Sequence, residues 1–184
     1  MSRSPRIRDR QVIASTRVFR VEQLDLEFAN GARRRYERLL GGERGAVLVV
    51  PLLDAQTLLL IREYAAGTGC YELAFPKGRI EAQENVLESA NRELREEIGY
   101  AAERLELMRT VALAPGYIQH QTHLVLAREL YPSRLPGDEP EPIEVVPWRL
   151  TDLDALLARD DFNESRSLLA LFLGLRTLGL LGNP

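Results

Sequence analysis

The segment GRIEAQENVLESANRELREEIGY, residues 78–100, decides the fold because it predicts one helix with clear ends and an unusual set of acids. Asn85, followed three residues later by Glu88, is typical of a helix start, and Gly99 is typical of a left-handed helix stop. We therefore predict a helix from about Val86 to Ile98.

This helix has an apolar stripe with acids placed beside it. Apolar residues at helical spacing predict a buried face formed by Leu87, Ala90, Leu94 and Ile98. At ~100° per residue, the acids that share one arc next to that face are Glu93, Glu96 and Glu97.

The position of these three acids is unfavourable without compensation. Like charges at i,i+4 destabilise a helix by roughly 0.2–0.5 kcal/mol per pair, and acids in the last turns oppose the helix dipole. Arg92 and Arg95 offset only part of this. A divalent cation such as Mg²⁺, which prefers oxygen ligands, would remove the conflict. A solvated acidic face is the alternative, and the helix alone favours it.

Composition limits the classes of protein that fit. The chain has 184 residues, 45% of them hydrophobic, and a formal net charge of -3, which predicts one well-buried core, no bilayer span and no large nucleic-acid surface. Its single cysteine, Cys70, excludes an internal disulfide and a multi-cysteine metal site. The opening residues lack the apolar core of a signal peptide, so we expect a cytoplasmic location.

The chain divides into an N-terminal element, 1–44, and a catalytic domain, 45–184. Residues 1–10 are polar and basic and are expected to be poorly ordered. Alternating apolar positions around Asn30-Gly31 predict an antiparallel hairpin with a two-residue turn. The alternation changes parity between Val21 and Leu24, which indicates a bulge there.

The catalytic domain combines strands before and after the helix with two helices at its end. The predicted strands are AVLVVPLL, TLLLIREY, YELAF, LELMRTVAL, THLVLARELY and a segment near Ile143. Thr151 is the expected cap of the first closing helix. This order predicts an α/β fold, with a mixed sheet covered by helices on both faces.

The flanks of the acidic helix carry a family resemblance. The spacing fills every fixed position of the Nudix box, with Gly78, Glu84, Arg92-Glu93-Leu94, Glu96-Glu97 and Gly99-Tyr100. Only Tyr100 stands where the pattern more often has an aliphatic residue. The chain is therefore identified as a member of the Nudix hydrolases, which implies an α/β/α sandwich.

The resemblance implies an activity and a metal site. Nudix hydrolases cleave a nucleoside diphosphate linked to another moiety, using a divalent metal ion, here expected to be Mg²⁺ with Mn²⁺ as a substitute. Carried over by position, Glu93 and Glu97 are the primary ligands, Glu96 is a ligand directly or through water, and the Lys77 carbonyl is a further ligand.

Other residues of the box are implied to have structural roles. Glu84 and Arg92 would hold the loop to the helix by an ion pair, Gly78 would allow a tight turn, and Gly99 would end the helix.

A late acidic loop, GDEPEPIE, is the expected source of the general base. By resemblance to the ADP-ribose pyrophosphatase-like branch we favour Glu139 as the base and Glu141 as a helper or metal ligand, with Glu96 also in the catalytic set. The alternative is that this proline-rich loop is only solvated.

Pro115, fifteen positions after Tyr100, resembles a marker proline of that branch. Two departures put a strict preference for ADP-ribose in doubt: Ala74 stands where the branch has glutamate, with Glu72 two residues earlier, and Ala65 stands where it has arginine. Nearly the whole chain resembles a bacterial branch that hydrolyses ADP-ribose, NADH and adenosine dinucleotides such as diadenosine triphosphate, releasing AMP.

The same resemblance implies a homodimer with a nucleotide substrate, in which the N-terminal hairpin of one subunit reaches the site of the other. The residues assigned to substrate binding are Arg38, Arg62, Glu72, Pro115 and Tyr117. For the arginines of the segment Arg33 to Arg38, a solvated strand edge is an equal alternative.

Two other functions stay open. A non-catalytic Nudix-like nucleotide sensor would usually lack some box carboxylates, which this chain keeps. An RNA-end pyrophosphohydrolase is disfavoured by the acidic balance and by the lack of a basic-aromatic patch. We expect no nucleic-acid or membrane partner.

Overall fold

The computed structural model describes residues 4–42 and 44–181. Its strands are β1 Arg6–Ser15, β2 Arg20–Glu27, β3 Arg33–Leu40, β4 Ala46–Asp54, β5 Thr57–Ala65, β6 Cys70–Ala74, β7 Lys77–Arg79, β8 Tyr100–Ala112, β9 Ile118–Gln119, β10 Gln121–Pro132 and β11 Glu144–Arg149. Its helices are α1 Val86–Glu93, α2 Leu153–Leu157 and α3 Ser165–Thr177. They form two compact units, Met1–Gly45 with Ala112–Gln121, and Ala46–Val111 with Thr122–Pro184.

The N-terminal unit is a four-stranded sheet in the order β1-β2-β3-β9. The expectation of a poorly ordered start was wrong for the described residues from Arg6 onwards, because β1 pairs antiparallel with β2. The predicted turn at Asn30-Gly31 is also longer than expected. The register pairs Glu27 with Arg33, so five residues connect β2 to β3, and Gly31 has a φ of 80°.

The bulge predicted between Val21 and Leu24 was wrong in position. β2 pairs with β3 without interruption, and the register shifts lie between β1 and β2, with Ile13 as the extra residue of β1 opposite Val21 and Glu22. Glu22 occupies a buried position of β2, and its carboxylate forms an ion pair with the Arg38 guanidinium at 2.7 Å. A buried glutamate in the alternating pattern therefore produced the apparent change of parity.

The larger unit contains a mixed sheet in the order β11-β5-β4-β10-β8, with β6 on β5 and β7 on β4. β4 and β10 run parallel, whereas β5 is antiparallel to both β4 and β11. The strands that form its centre are apolar on both sides, as expected for a sheet covered on both faces.

Two hydrophobic clusters cover the two faces of this sheet. One packs Leu156 of α2 and Ala170 and Leu171 of α3 against strand residues such as Leu48. The other packs the helix that follows Asn85 against strand residues such as Val49. The predicted α/β/α sandwich is confirmed. Among the described helices, none has the length and apolar character that crossing a bilayer requires.

The end of the chain differs from prediction in one detail. Thr151 lies within a short 3-10 turn, Leu150–Asp152, and its hydroxyl donates to Asp152 Oδ1 instead of capping α2. The last helix, α3, is capped by Glu164, whose carboxylate accepts from the backbone N–H groups of Arg166 and Ser167.

Candidate active site

The acidic helix begins and ends where the sequence predicts. The Asn85 side chain accepts from the Glu88 N–H at 3.0 Å, and the Glu88 carboxylate accepts from the Asn85 N–H at 2.9 Å, which completes a capping box. The α-helical part stops at Glu93, and Leu94–Ile98 form a π-helical turn that Gly99 ends with a φ of 75°. Such turns are frequent at functional sites.

The buried side of this helix is a row of residues four apart. Ala90, Leu94 and Ile98 are buried as predicted, but the fourth member is Val86. Leu87 is 38% exposed, so its assignment to the stripe was wrong. Leu87 lies about 100° around the helix from Val86, which turns its side chain away from the sheet.

Two of the three predicted carboxylates are buried beside this row. Glu93 is 6% and Glu97 2% exposed. Loss of hydration is the largest effect on both, and it raises the pKa of Glu93 to about 7 and the pKa of Glu97 well above its ordinary value. The fold therefore holds two acidic groups where negative charge is costly without a counter-charge.

Glu97 is fixed by the strand that carries Lys77. The Lys77 backbone N–H donates to Glu97 Oε2 at 2.9 Å, and the Lys77 ammonium lies 2.7 Å from Glu63. Lys77 therefore anchors Glu97 through its backbone, a contact that the sequence did not indicate.

Arg92 connects the loop to the acids. Its guanidinium lies 2.7 Å from Glu84, 2.8 Å from Glu93 and 2.6 Å from Glu96. The sequence implied only the pair with Glu84. Arginine suits this arrangement because its planar fork can serve several carboxylates at once.

Gly78 is required by close approach to Glu93. A Cβ atom at residue 78 would overlap the Glu93 carboxylate. Gly78 pairs with Val47 in the β4–β7 ladder, so its backbone cannot easily move away. A side chain at this position would displace a carboxylate from the site.

The donor set fits a hard divalent cation. Within residues 4–42 and 44–181, no three His, Cys, Asp or Glu side chains are already gathered as metal ligands. The Arg92 guanidinium instead forms ion pairs with Glu93 and Glu96. Buried carboxylates with a raised pKa are nevertheless oxygen donors that gain most from an added positive charge.

The loop that precedes β11 faces the same carboxylates. Glu139 lines a cavity of about 600 Å³ together with Glu96 and Glu97, and its charge contributes to the raised pKa of Glu93. Glu141 also lines this cavity, but its carboxylate accepts a hydrogen bond from the Tyr71 hydroxyl at 2.5 Å. The two candidate bases therefore differ in their surroundings.

The residues predicted to bind substrate are divided between the two units. In the larger unit, Arg62 pairs with Glu144 at 3.0 Å and Asp161 at 2.6 Å, and Glu72 is buried with Oε2 lacking a hydrogen-bond partner. In the N-terminal unit, Arg38 lines one cavity with Pro115 and Tyr117, and its guanidinium pairs with Glu22.

Two segments of the chain match protein-family models. Residues 42–172 match the NUDIX domain, and residues 5–38 match the NudE-type Nudix hydrolase N-terminal domain. The chain belongs to the Nudix hydrolases. The family assignment made from the box is therefore confirmed, and Nudix hydrolases generally use divalent metal ions.

Individual Nudix relatives are similar over most of their length. The chain is 48% identical over 169 residues to the ADP compounds hydrolase NudE of Escherichia coli (strain K12), covering 92% of this chain and 90% of that protein. It is 33% identical over 151 residues to the ADP-sugar pyrophosphatase of Mus musculus, covering 74% and 69%. A crystal structure of ADP compounds hydrolase matches with a TM-score of 0.90 and 46% identity, covering 98% and 99%.

Proposed function

We propose that this Nudix hydrolase uses Mg²⁺, or Mn²⁺ in its place, to cleave the pyrophosphate bond of ADP-linked compounds. The proposed substrates are ADP-ribose, NADH and adenosine dinucleotides such as diadenosine triphosphate, and the products are AMP and a phosphorylated moiety. The observation that carries the proposal is the 48% identity to an ADP compounds hydrolase in a chain whose box acids are all present.

Glu93 and Glu97 would hold the metal ion, with Glu96 beside them and the Lys77 carbonyl as a further ligand. Bound there, a divalent cation would neutralise diphosphate charge and lower the pKa of the attacking water. The Lys77 N–H contact keeps Glu97 oriented, and Arg92 keeps Glu93 and Glu96 together. Glu84 supports this arrangement from the loop, and Gly78 supports it from β7.

Glu139 is our choice of general base. It shares a cavity with Glu96 and Glu97, and a carboxylate there can accept a proton from water that attacks phosphorus. Glu141 is less suited because the Tyr71 hydroxyl already occupies one of its oxygens, so we assign it a supporting role. Glu139→Gln should lower kcat by at least ~100-fold, whereas Glu141→Gln should have a smaller effect.

We propose five residues as contacts of the substrate. Arg62 and Glu72 lie in the larger unit, and Arg38, Pro115 and Tyr117 lie in the N-terminal unit. Glu72 is a candidate because its buried, unpartnered oxygen could accept a hydrogen bond from a substrate hydroxyl.

We further propose a homodimer formed through the N-terminal sheet. β1 is exposed along its whole length and lies at the edge of that sheet, and Ile7, Val12 and Ile13 present large apolar side chains. Exposed apolar residues on an edge strand favour association with a second chain. Light scattering after size exclusion should give twice the chain mass, and a charged substitution such as Ile13→Glu should give monomers.

The proposed activity is tested with four substrates in the presence of Mg²⁺. AMP release from ADP-ribose, NADH and diadenosine triphosphate, with no turnover of capped RNA, would support it. Preferred cleavage of RNA ends would contradict it in favour of an RNA-end pyrophosphohydrolase. Nucleotide binding without any turnover would contradict it in favour of a sensor.

A further inference from the structure

A further cavity of about 250 Å³ is also lined by the late acidic loop. Its floor is the hairpin of β5 and β6, and its wall is the loop itself. Its lining includes Tyr64, Tyr71, Pro140, Glu141 and Pro142. Two aromatic rings and two prolines give it a flat, apolar character suited to a planar group.

The two tyrosines are exposed without an evident structural reason. Tyr64 is 53% and Tyr71 49% exposed, and they are cross-strand partners in the β5–β6 ladder. Their rings meet edge to face, with centroids 5.5 Å apart. The Tyr71 hydroxyl donates to Glu141, so this ring is already oriented. Exposed aromatic rings that are held in place form a ready surface for stacking.

The charges around this cavity disfavour a phosphate and favour a ring with N–H groups. Arg62 lines the cavity, but Glu144 and Asp161 already pair with its guanidinium. Glu63, Glu139 and Glu141 also line it and are hydrogen-bond acceptors. A ring that carries an amino or amide group complements such a lining, whereas an anionic group would be repelled.

The cavity shares part of its lining with the carboxylate site. Glu139, Pro140, Glu141, Pro142 and Ile143 line both this cavity and the one that contains Glu96 and Glu97. A substrate whose diphosphate lies at the carboxylates could therefore reach the tyrosines across the same loop.

We propose that Tyr64 and Tyr71 bind a second heteroaromatic ring, carried by the part of the substrate that lies across the phosphate bridge from the adenosine of the ADP. The ligand class is a dinucleotide, with its second base or nicotinamide ring on the tyrosines and its N–H groups facing Glu141. This inference rests on the proposed hydrolysis of ADP-linked compounds. It assigns the ring specificity of that site to residues outside the Nudix box.

The test compares one substrate with a second ring, diadenosine triphosphate, and one without, ADP-ribose. In Tyr64→Leu and Tyr71→Leu, the ratio of kcat/KM for diadenosine triphosphate to that for ADP-ribose should fall ~10-fold or more, the scale of losing one stacked base. Tyr71→Phe keeps the ring and should retain most of the ratio. Tyr131→Leu, in an exposed tyrosine of β10, is the matched control and should keep the wild-type ratio.

Three results would overturn the inference. Unaltered kcat/KM values for both substrates would show that the tyrosines contact no second ring. An equal loss for both substrates, which also leaves the ratio unaltered, would place the shared ADP half there. A wild-type protein that cleaves neither substrate would instead contradict the proposed function. A crystal structure of the wild-type protein with a non-hydrolysable diadenosine analogue gives a second readout, and a base bound away from Tyr64 and Tyr71 would also overturn it.

Discussion

Replacing the buried carboxylate of Glu93 by an amide should stabilise the metal-free protein while removing activity. Burial raises the pKa of this carboxyl from 4.5 to about 7, so the folded chain binds its proton more tightly than the unfolded chain does. The contribution of Glu93 to stability is therefore full below about pH 4 and is lost as the pH rises through about 7. Glutamine resembles the neutral acid in shape and carries no charge at any pH.

The difference in the free energy of unfolding follows from these two pKa values. At 1.36 kcal/mol per pKa unit, Glu93→Gln should be more stable than the metal-free wild type by about 3 kcal/mol at pH 8 and about 1 kcal/mol at pH 5. Urea unfolding in the presence of a chelator measures this, with the fluorescence of Trp148, the single tryptophan, as the probe. Added Mg²⁺ should stabilise the wild type more than the variant.

Glu103→Gln is the matched control, because Glu103 is an exposed glutamate of β8. This variant should differ little from the wild type at either pH. A Glu93→Gln variant that is equally or less stable than the wild type at pH 8, or whose advantage does not change with pH, would contradict a raised pKa of Glu93.

Three further substitutions test the supports of the site. Arg92→Lys should lower the free energy of unfolding by about 2 kcal/mol or more, because one ammonium cannot serve three carboxylates; a urea midpoint equal to the wild type would contradict this. Gly78→Ala should abolish turnover because its methyl group would overlap the Glu93 carboxylate. The control Gly67→Ala adds a methyl group in open space and should keep wild-type turnover. Retained turnover in Gly78→Ala would argue against the close approach of residue 78 to Glu93. Asn85→Ala should cost about 1 kcal/mol of stability through loss of the helix cap, with KM unchanged, and a stability loss near zero would count against the cap.

The parts of the fold that sequence predicts best are those set by neighbouring residues. The Asn85 cap, the Gly99 stop and the apolar central strands follow from local chemistry, and each lies where it was expected. β1 was missed because all of its side chains are exposed, so no apolar alternation marks it and only pairing with β2 defines it. The turn at Asn30-Gly31 was predicted too short because its length depends on the register of the two strands that it joins.

In the active site, too, sequence predicted the local features better than the contacts made in three dimensions. The spacing of the box implied which acids matter, and it also implied the pair between Arg92 and Glu84. It did not reveal that Arg92 also contacts Glu93 and Glu96, or that the Lys77 N–H fixes Glu97, since both depend on how the loop meets the helix in three dimensions. The contact between Arg92 and Glu96 could have been predicted from the sequence, because Arg92 precedes Glu96 by one helical turn.

The most direct test of the account is calorimetric titration of the metal-free protein with Mn²⁺ at pH 8, for the wild type and for Glu97→Gln. We expect saturable uptake with release of protons by the wild type, and loss of that uptake in a Glu97→Gln variant that unfolds cooperatively. Equal uptake by both proteins, or no uptake by the wild type even with nucleotide present, would contradict the claim that the buried acids of this helix hold the catalytic metal ion.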